Sequence, residues 1–148
     1  MLSVRGLTKK FGEFTAVDDL SFDVQQGLVY GFLGQNGAGK STTIRMLLTL
    51  IQPSSGSIEF FGQSLRTHRS EILSQIGAIV EKPDLYKYLN AEEHLHLIAQ
   101  LRGHKLTRSR QQELLEMVGL AHRAKSRVGT YSQGMRQRLA LACTLVND

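Results

Sequence analysis

The sequence predicts an α/β protein that opens with short strands, passes through a strand–loop–helix unit and finishes as a helical half. Three observations carry this. Phe14, Ala16 and Val17, then Leu20, Phe22 and Val24, approach the period-two pattern of half-buried strands. The run Leu28–Leu33 is apolar throughout, as in a strand buried on both faces, and leads into a glycine-rich loop. After Asn90 the pattern turns helical and stays so.

At 148 residues the chain fits one domain with a hydrophobic core of its own. Its formal net charge of +5 suits an anionic partner, although a solvated basic surface reads the same way. The single cysteine, Cys143, excludes an internal disulfide, and no Cys/His spacing suggests zinc. His94 and His96, two apart on a helix, point to different faces and do not make a metal pair. The N-terminus lacks a signal-peptide pattern, and the longest apolar runs are far too short to cross a membrane. A soluble protein of a reducing, cytoplasmic compartment is expected, with any membrane role supplied by a partner.

Taken in order, residues 1–29 read as short strands, closed by the turn signal Gln26-Gly27. Beyond the loop, a helix is expected from Thr42 to Ile51, stopped by Pro53. Ser54-Ser55-Gly56 is a turn, Ser57–Phe61 a strand, Glu71–Gln75 a short helix and Ile76–Val80 a second buried strand broken by Pro83. Asn90, with Glu93 three residues on, is a capping-box signature for a helix reaching about Leu101. A further helix over Arg110–Val118 puts Leu114, Leu115 and Val118 on one face, with Gly119 as its C-terminal stop. The last helix begins near Gly134 and runs through Ala142.

The chemistry sits in Gly34-Gln35-Asn36-Gly37-Ala38-Gly39-Lys40-Ser41, which fits G-x-x-x-x-G-K-[ST] between a strand and a helix. Glycines let the backbone wrap phosphate oxygens so that successive N–H groups point inward. The helix behind aims its positive end at the same anion. Lys40 is expected on the β- and γ-phosphates, and the Ser41 hydroxyl, followed by Thr42, is placed to ligate Mg²⁺. A chance match in a chain of this length occurs about once in 200 sequences. Nucleotide binding by this loop follows from sequence.

The remaining segments resemble the ATP-binding subunits of ABC transporters along essentially the whole chain. Tyr131-Ser132-Gln133-Gly134-Met135, followed by Arg136-Gln137-Arg138, is similar to that family's Leu-Ser-Gly-Gly-Gln signature in a divergent form, with Gln133 for a Gly and Met135 for the Gln. Leu50–Ile58 is similar to the segment after the family's phosphate-loop helix. Phe11-Gly12, with Ala16-Val17, is similar to its aromatic loop, where a ring stacks on adenine. Glu81 stands where the family usually places a Gln that contacts Mg²⁺ and the attacking water. With Leu89-Asn90-Ala91-Glu92-Glu93, that replacement resembles the bacitracin- and lantibiotic-resistance branch of ABC exporters.

The resemblance implies a P-loop NTPase core of the ABC type with an N-terminal antiparallel β subdomain, a helical subdomain and an incomplete core sheet. The expected partition of residues 1–148 is a β subdomain at 1–29 and 56–66, a core at 28–52 and 71–82, and a helical subdomain at 83–140. It implies ATP and Mg²⁺ as ligands. Phe11, Val17, Gln35, Asn36, Gly37, Ala38, Gly39, Lys40, Ser41 and Thr42 would hold the nucleotide, and Ser41 and Glu81 the metal. Ser132, Gln133, Gly134 and Met135 would touch ATP held by the opposite subunit. Each has a plainer reading: Phe11 as core, Ser132 as a helix cap, Glu81 as a solvated acid.

Two partners follow from the family: a polytopic membrane permease, and a second ATP-binding subunit docked head to tail. The location implied is the inner face of the cell membrane. The coupled process implied is export of the antimicrobial-peptide or drug-resistance type; the alternative is a soluble ABC-class ATPase acting on nucleic acid. No long insertion between loop and signature and no interleaving of aromatic with basic residues supports nucleic acid. Between Arg102 and Arg138 nine Lys and Arg face only Glu113 and Glu116, which reads as a solvated face or as contact with the membrane partner or anionic headgroups. Family members continue past this sequence's Leu145-Val146-Asn147-Asp148 with a metal-binding Asp and a catalytic Glu, so these 148 residues by themselves are expected to be inactive as an ATPase.

Overall fold

A computed structural model describes residues 1–80 and 84–146. The chain divides into two compact units, Met1–Ser74 and Gln75–Asp148. In the first, β1 (Leu2–Phe11) and β2 (Phe14–Val24) form an antiparallel hairpin that turns at Gly12-Glu13. β3 (Ser55–Phe60) pairs antiparallel with the other side of β1, and the two-residue β4 (Gln63–Ser64) closes the order β2-β1-β3-β4. Val4, Leu7, Val17 and Ile58 are buried in this sheet, with Met46 from α1 (Lys40–Leu47) and Ile72 from α2 (Arg69–Ser74). The several short strands expected before residue 29 are thus two long ones.

The buried strand expected at Leu28–Leu33 does not form. The segment carries no ladder, and Leu28, Val29 and Leu33 are 64%, 102% and 90% exposed. The strand expected at Ile76–Val80 is likewise irregular. A strand apolar on both faces is stable only with neighbours that take its N–H and C=O groups. Among the described residues no strand pairs with either segment, so the core sheet is incomplete. Phe22 of β2 does cover one side of the first segment, with its ring 5.6 Å from those of Tyr30 and Phe32.

The second unit is built on three helices, α3 (Ala91–Leu101), α4 (Arg108–Met117) and α5 (Gln133–Thr144). Ala91, Leu95 and Ala99 recur every four residues and so share one face of α3; all are fully buried. They meet Leu114 and Leu115 of α4, Leu139 and Ala142 of α5, and Val128 and Tyr131 from the connection between them. Asn90 Oδ1 accepts from Glu93 N at 2.9 Å and Glu93 Oε2 accepts from Asn90 N at 2.8 Å, which completes the expected capping box. His94 is buried and His96 exposed, on the different faces their spacing requires.

Candidate functional site

The glycine-rich loop lies in the first unit and ends in α1. Gly39 is the helix N-cap at φ 82°, in the left-handed region, and no side chain caps the helix. The first intrahelical bond is Thr43 N to Gly39 O at 2.8 Å, which leaves the amides of Lys40, Ser41 and Thr42 free of helical partners. These point off the helix end together with its positive dipole. A Cβ on Gly39 would collide with Ala16 O and sit 2.9 Å from Val17 Cγ2, so only glycine fits between loop and β2. Buried Val17 is therefore the floor of the loop's last turn. The structure brings it there from the strand that follows Phe11.

Lys40 Nζ donates to Gly34 O and Gln35 O, each at 2.7 Å, so its ammonium crosses the mouth of the loop. Ala38 N donates to Gln35 O at 3.2 Å and tightens the loop beneath it. Gln35, Asn36, Gly37, Ala38 and Ser41 are exposed, and Thr42 is half-buried in the first turn of α1. Sequence reasoning missed Thr43: it is buried, and its hydroxyl donates to Gly39 O at 3.0 Å, bracing the cap. A hydroxyl four residues past the last loop glycine, one helical turn on, was the available signal.

A hard cation fits this chemistry through Ser41. Among the described residues no group of three or more His, Cys, Asp or Glu gathers that could hold a metal by itself. An Mg²⁺ ion here would take the Ser41 hydroxyl as one oxygen and the phosphates as others. Glu81, the other expected ligand, lies outside the described residues. Phe11 ends β1 opposite Phe14, half-exposed at 50%, with Lys9 Nζ 4.9 Å from the centroid of its ring.

Ser132, Gln133, Gly134 and Met135 belong to the second unit, where they begin α5. Ser132 Oγ accepts from Met135 N at 3.2 Å and is the N-cap. The residue before it is anchored twice: Tyr131 Oη donates to Arg123 O at 2.7 Å, and the Arg136 guanidinium donates to Tyr131 O. Burial pushes the Tyr131 phenol above its ordinary value, against the lowering by nearby Arg123. A Cβ on Gly134 would meet nothing within 4 Å among the described residues, so packing against them does not require its smallness.

A glycine-wrapped, lysine-spanned loop on an uncapped helix defines a P-loop nucleotide-binding protein. A family model described as ABC transporter matches residues 17–148, and the chain belongs to that family. The chain is 49% identical over 148 residues to the bacitracin transport ATP-binding protein BcrA of Bacillus licheniformis, covering 99% of this chain and 48% of that protein. It is 37% identical to the lantibiotic transport ATP-binding protein SrtF of Streptococcus pyogenes, covering 100% and 62%. Among solved structures, it resembles an ATP-binding subunit of an ABC transporter with TM-score 0.83 and 32% identity, over 99% of this chain and 62% of that one. A dimeric post-hydrolysis state of an ATP-binding cassette bound to ADP and Pi matches with TM-score 0.84 and 25% identity, over 99% and 70%. The chain spans about half the length of the curated relatives it matches first. The fold is that of an α/β ABC ATPase, with an antiparallel β portion and helices.

Proposed function

We propose that this chain is the phosphate-binding portion of an ATPase subunit that couples Mg·ATP binding and hydrolysis to export through a membrane-embedded permease. The observation that carries the reading is Lys40 held across the loop mouth by Gly34 O and Gln35 O, above the free amides of α1. There the ammonium and the amides would bind and orient the β- and γ-phosphates of ATP. Ser41, with Glu81, would hold Mg²⁺, whose contribution when bound is to neutralise phosphate charge. Phe11 would stack on adenine, with Val17 fixing the loop behind it.

Ser132, Gln133, Gly134 and Met135 would offer their helix end to ATP on a second copy of the subunit, and the open space at Gly134 supports a close approach from outside the chain. ATP binding would then favour a closed pair of subunits and hydrolysis would reopen it. Names of relatives point to peptide antibiotics as the exported class. Within that reading, 1–29 with 56–66 is the β subdomain, 28–52 with 71–82 the core, and 83–140 the helical subdomain. Described helices include none long and apolar enough to cross a membrane, and the protein would act at the inner membrane face through its permease.

The test is nucleotide titration of folded parent and Lys40→Ala. Losing charge-assisted bonds to phosphate should weaken ATP binding about 10- to 100-fold. Equal affinities would remove the loop from the mechanism. The coupling is tested in the full-length protein with its permease, where the same variant should abolish antibiotic resistance.

A further inference from the structure

The second unit holds a feature that nucleotide binding does not use. His94, on α3, is only 2% exposed, and its Nδ1 is buried with no hydrogen-bond partner among the described residues. Its ring lies 5.7 Å from that of Tyr86, which in turn lies 5.8 Å from Tyr88. His94 and Tyr86 line a cavity of about 490 Å³, together with Asp84, Arg102 and Cys143. The segment that carries Tyr86 is tied by its backbone to the approach to α5: Gly129 N donates to Lys87 O and Val128 N to Leu89 O, each at 2.8 Å. Three residues after Gly129 comes Ser132, the cap of α5.

We propose that His94 is a proton-operated latch, neutral when the 84–90 segment is seated on α3 and charged when that segment lifts and loosens the N-terminus of α5. A neutral imidazole tolerates an idle Nδ1 lone pair at modest cost. Protonation turns that atom into a buried N–H with no acceptor, beside an aromatic ring and in a unit that already holds a cation on the same cavity, Arg102. Water reaches the new N–H once the Tyr86 segment moves.

Among the described residues, the surrounding groups do not reverse this. Asp84 is an exposed carboxylate at the cavity and favours the charged ring. Arg102 opposes it, and the Cys143 thiol, pushed up to about 12 by burial, stays neutral. α4 contributes no residue to the lining. Burial is what lowers the His94 pKa from its ordinary value. The sign follows: the seated form is favoured above the ordinary histidine pKa of about 6.5, and the lifted form binds the proton more tightly below it. This latch is independent of the ATP reading.

The experiment is amide exchange by NMR on the full chain from pH 7.5 to 5, expressed as protection factors, with titration of the His94 ring followed in the same samples. Protection at 87–90 and 128–135 should fall with pH, by up to about tenfold per pH unit between the lowered and ordinary values. The pH dependence should vanish in His94→Gln and persist in His96→Gln, whose ring is on the exposed face. If His94→Gln does not fold, the parent decides: protection should begin to fall near the ordinary histidine value and level off where the ring itself titrates, at the lower one. An unchanged pH profile in His94→Gln, or a ring that titrates while protection at 87–90 holds, overturns the latch.

Discussion

The two halves of this chain finish their cores in different ways. The helical unit closes on itself: every side chain from Leu95 to Leu139 in its central cluster is supplied from within about 60 residues, by helices that satisfy their own backbones. The first unit closes its antiparallel sheet but leaves Leu28, Val29 and Leu33 in the open. Helices need only an apolar partner face, whereas a strand meant to be buried on both faces also needs neighbouring strands to take its backbone N–H and C=O groups. The same hydrophobicity is therefore core at Leu95 and Leu139 and surface at Leu28, Val29 and Leu33.

The largest effect that would sharpen this contrast is Leu139→Ala. Leu139 is fully buried among α3, α4 and α5, and the cavity should cost about 2–5 kcal/mol in denaturant melts of the helical signal. A cost under about 1 kcal/mol would show that the helical core is loosely closed. Next comes Gly39→Ala, where left-handed strain of about 1–3 kcal/mol adds to the collision with Ala16 O. It should reduce nucleotide affinity in titration while leaving the amide protection of α3 to α5 intact; loss of protection there would mean the units are not separable in stability.

Asn90→Ala removes one limb of the capping box and should destabilise the helical unit by about 1 kcal/mol in the same melts. The smallest effect is expected at Val29→Ser. Because this side chain has no core to leave, stability should change by no more than about 0.5 kcal/mol. A loss as large as that of Leu139→Ala would contradict the exposed placement and restore Leu28–Leu33 as a packed strand.

Local rules were legible where a residue acts on its own neighbours. The capping box at Asn90 and Glu93 and the face shared by Leu114, Leu115 and Val118 are settled within one or two helical turns, so the sequence displays them. Helix ends moved by a few residues: α1 begins at Lys40 rather than Thr42 and ends at Leu47, well before Pro53, with Thr49 in the left-handed region at φ 56°. Strands 28–33 and 76–80 failed as expectations because pairing depends on residues distant in sequence, which an apolar run does not name. In the loop, the motif announces Lys40 and Ser41. That Gly39 must be glycine because Ala16 O and Val17 press on it was not legible, since the contact spans more than 20 positions of chain. That His94 and His96 lie on different faces followed from their spacing, but that His94 is the buried one, with an idle Nδ1, depends on Tyr86 and the cavity around them.

Gly77 offers a last consequence. A Cβ there would fall 2.5 Å from Thr144 O and 2.7 Å from Thr144 Cβ, so the end of α5 rests on bare backbone. No rotamer change relieves such a contact, because one of its two sides is a carbonyl of the main chain. Under random substitution, position 77 should behave as an all-or-nothing site whatever the ligand. Gly134, at the other end of the same helix, has open space instead. Its tolerance should depend on what is asked of the protein: broad when only folding is selected, narrow when the proposed export is. A library scored both ways would separate residues the architecture needs from residues a visitor needs, using one helix as its own control.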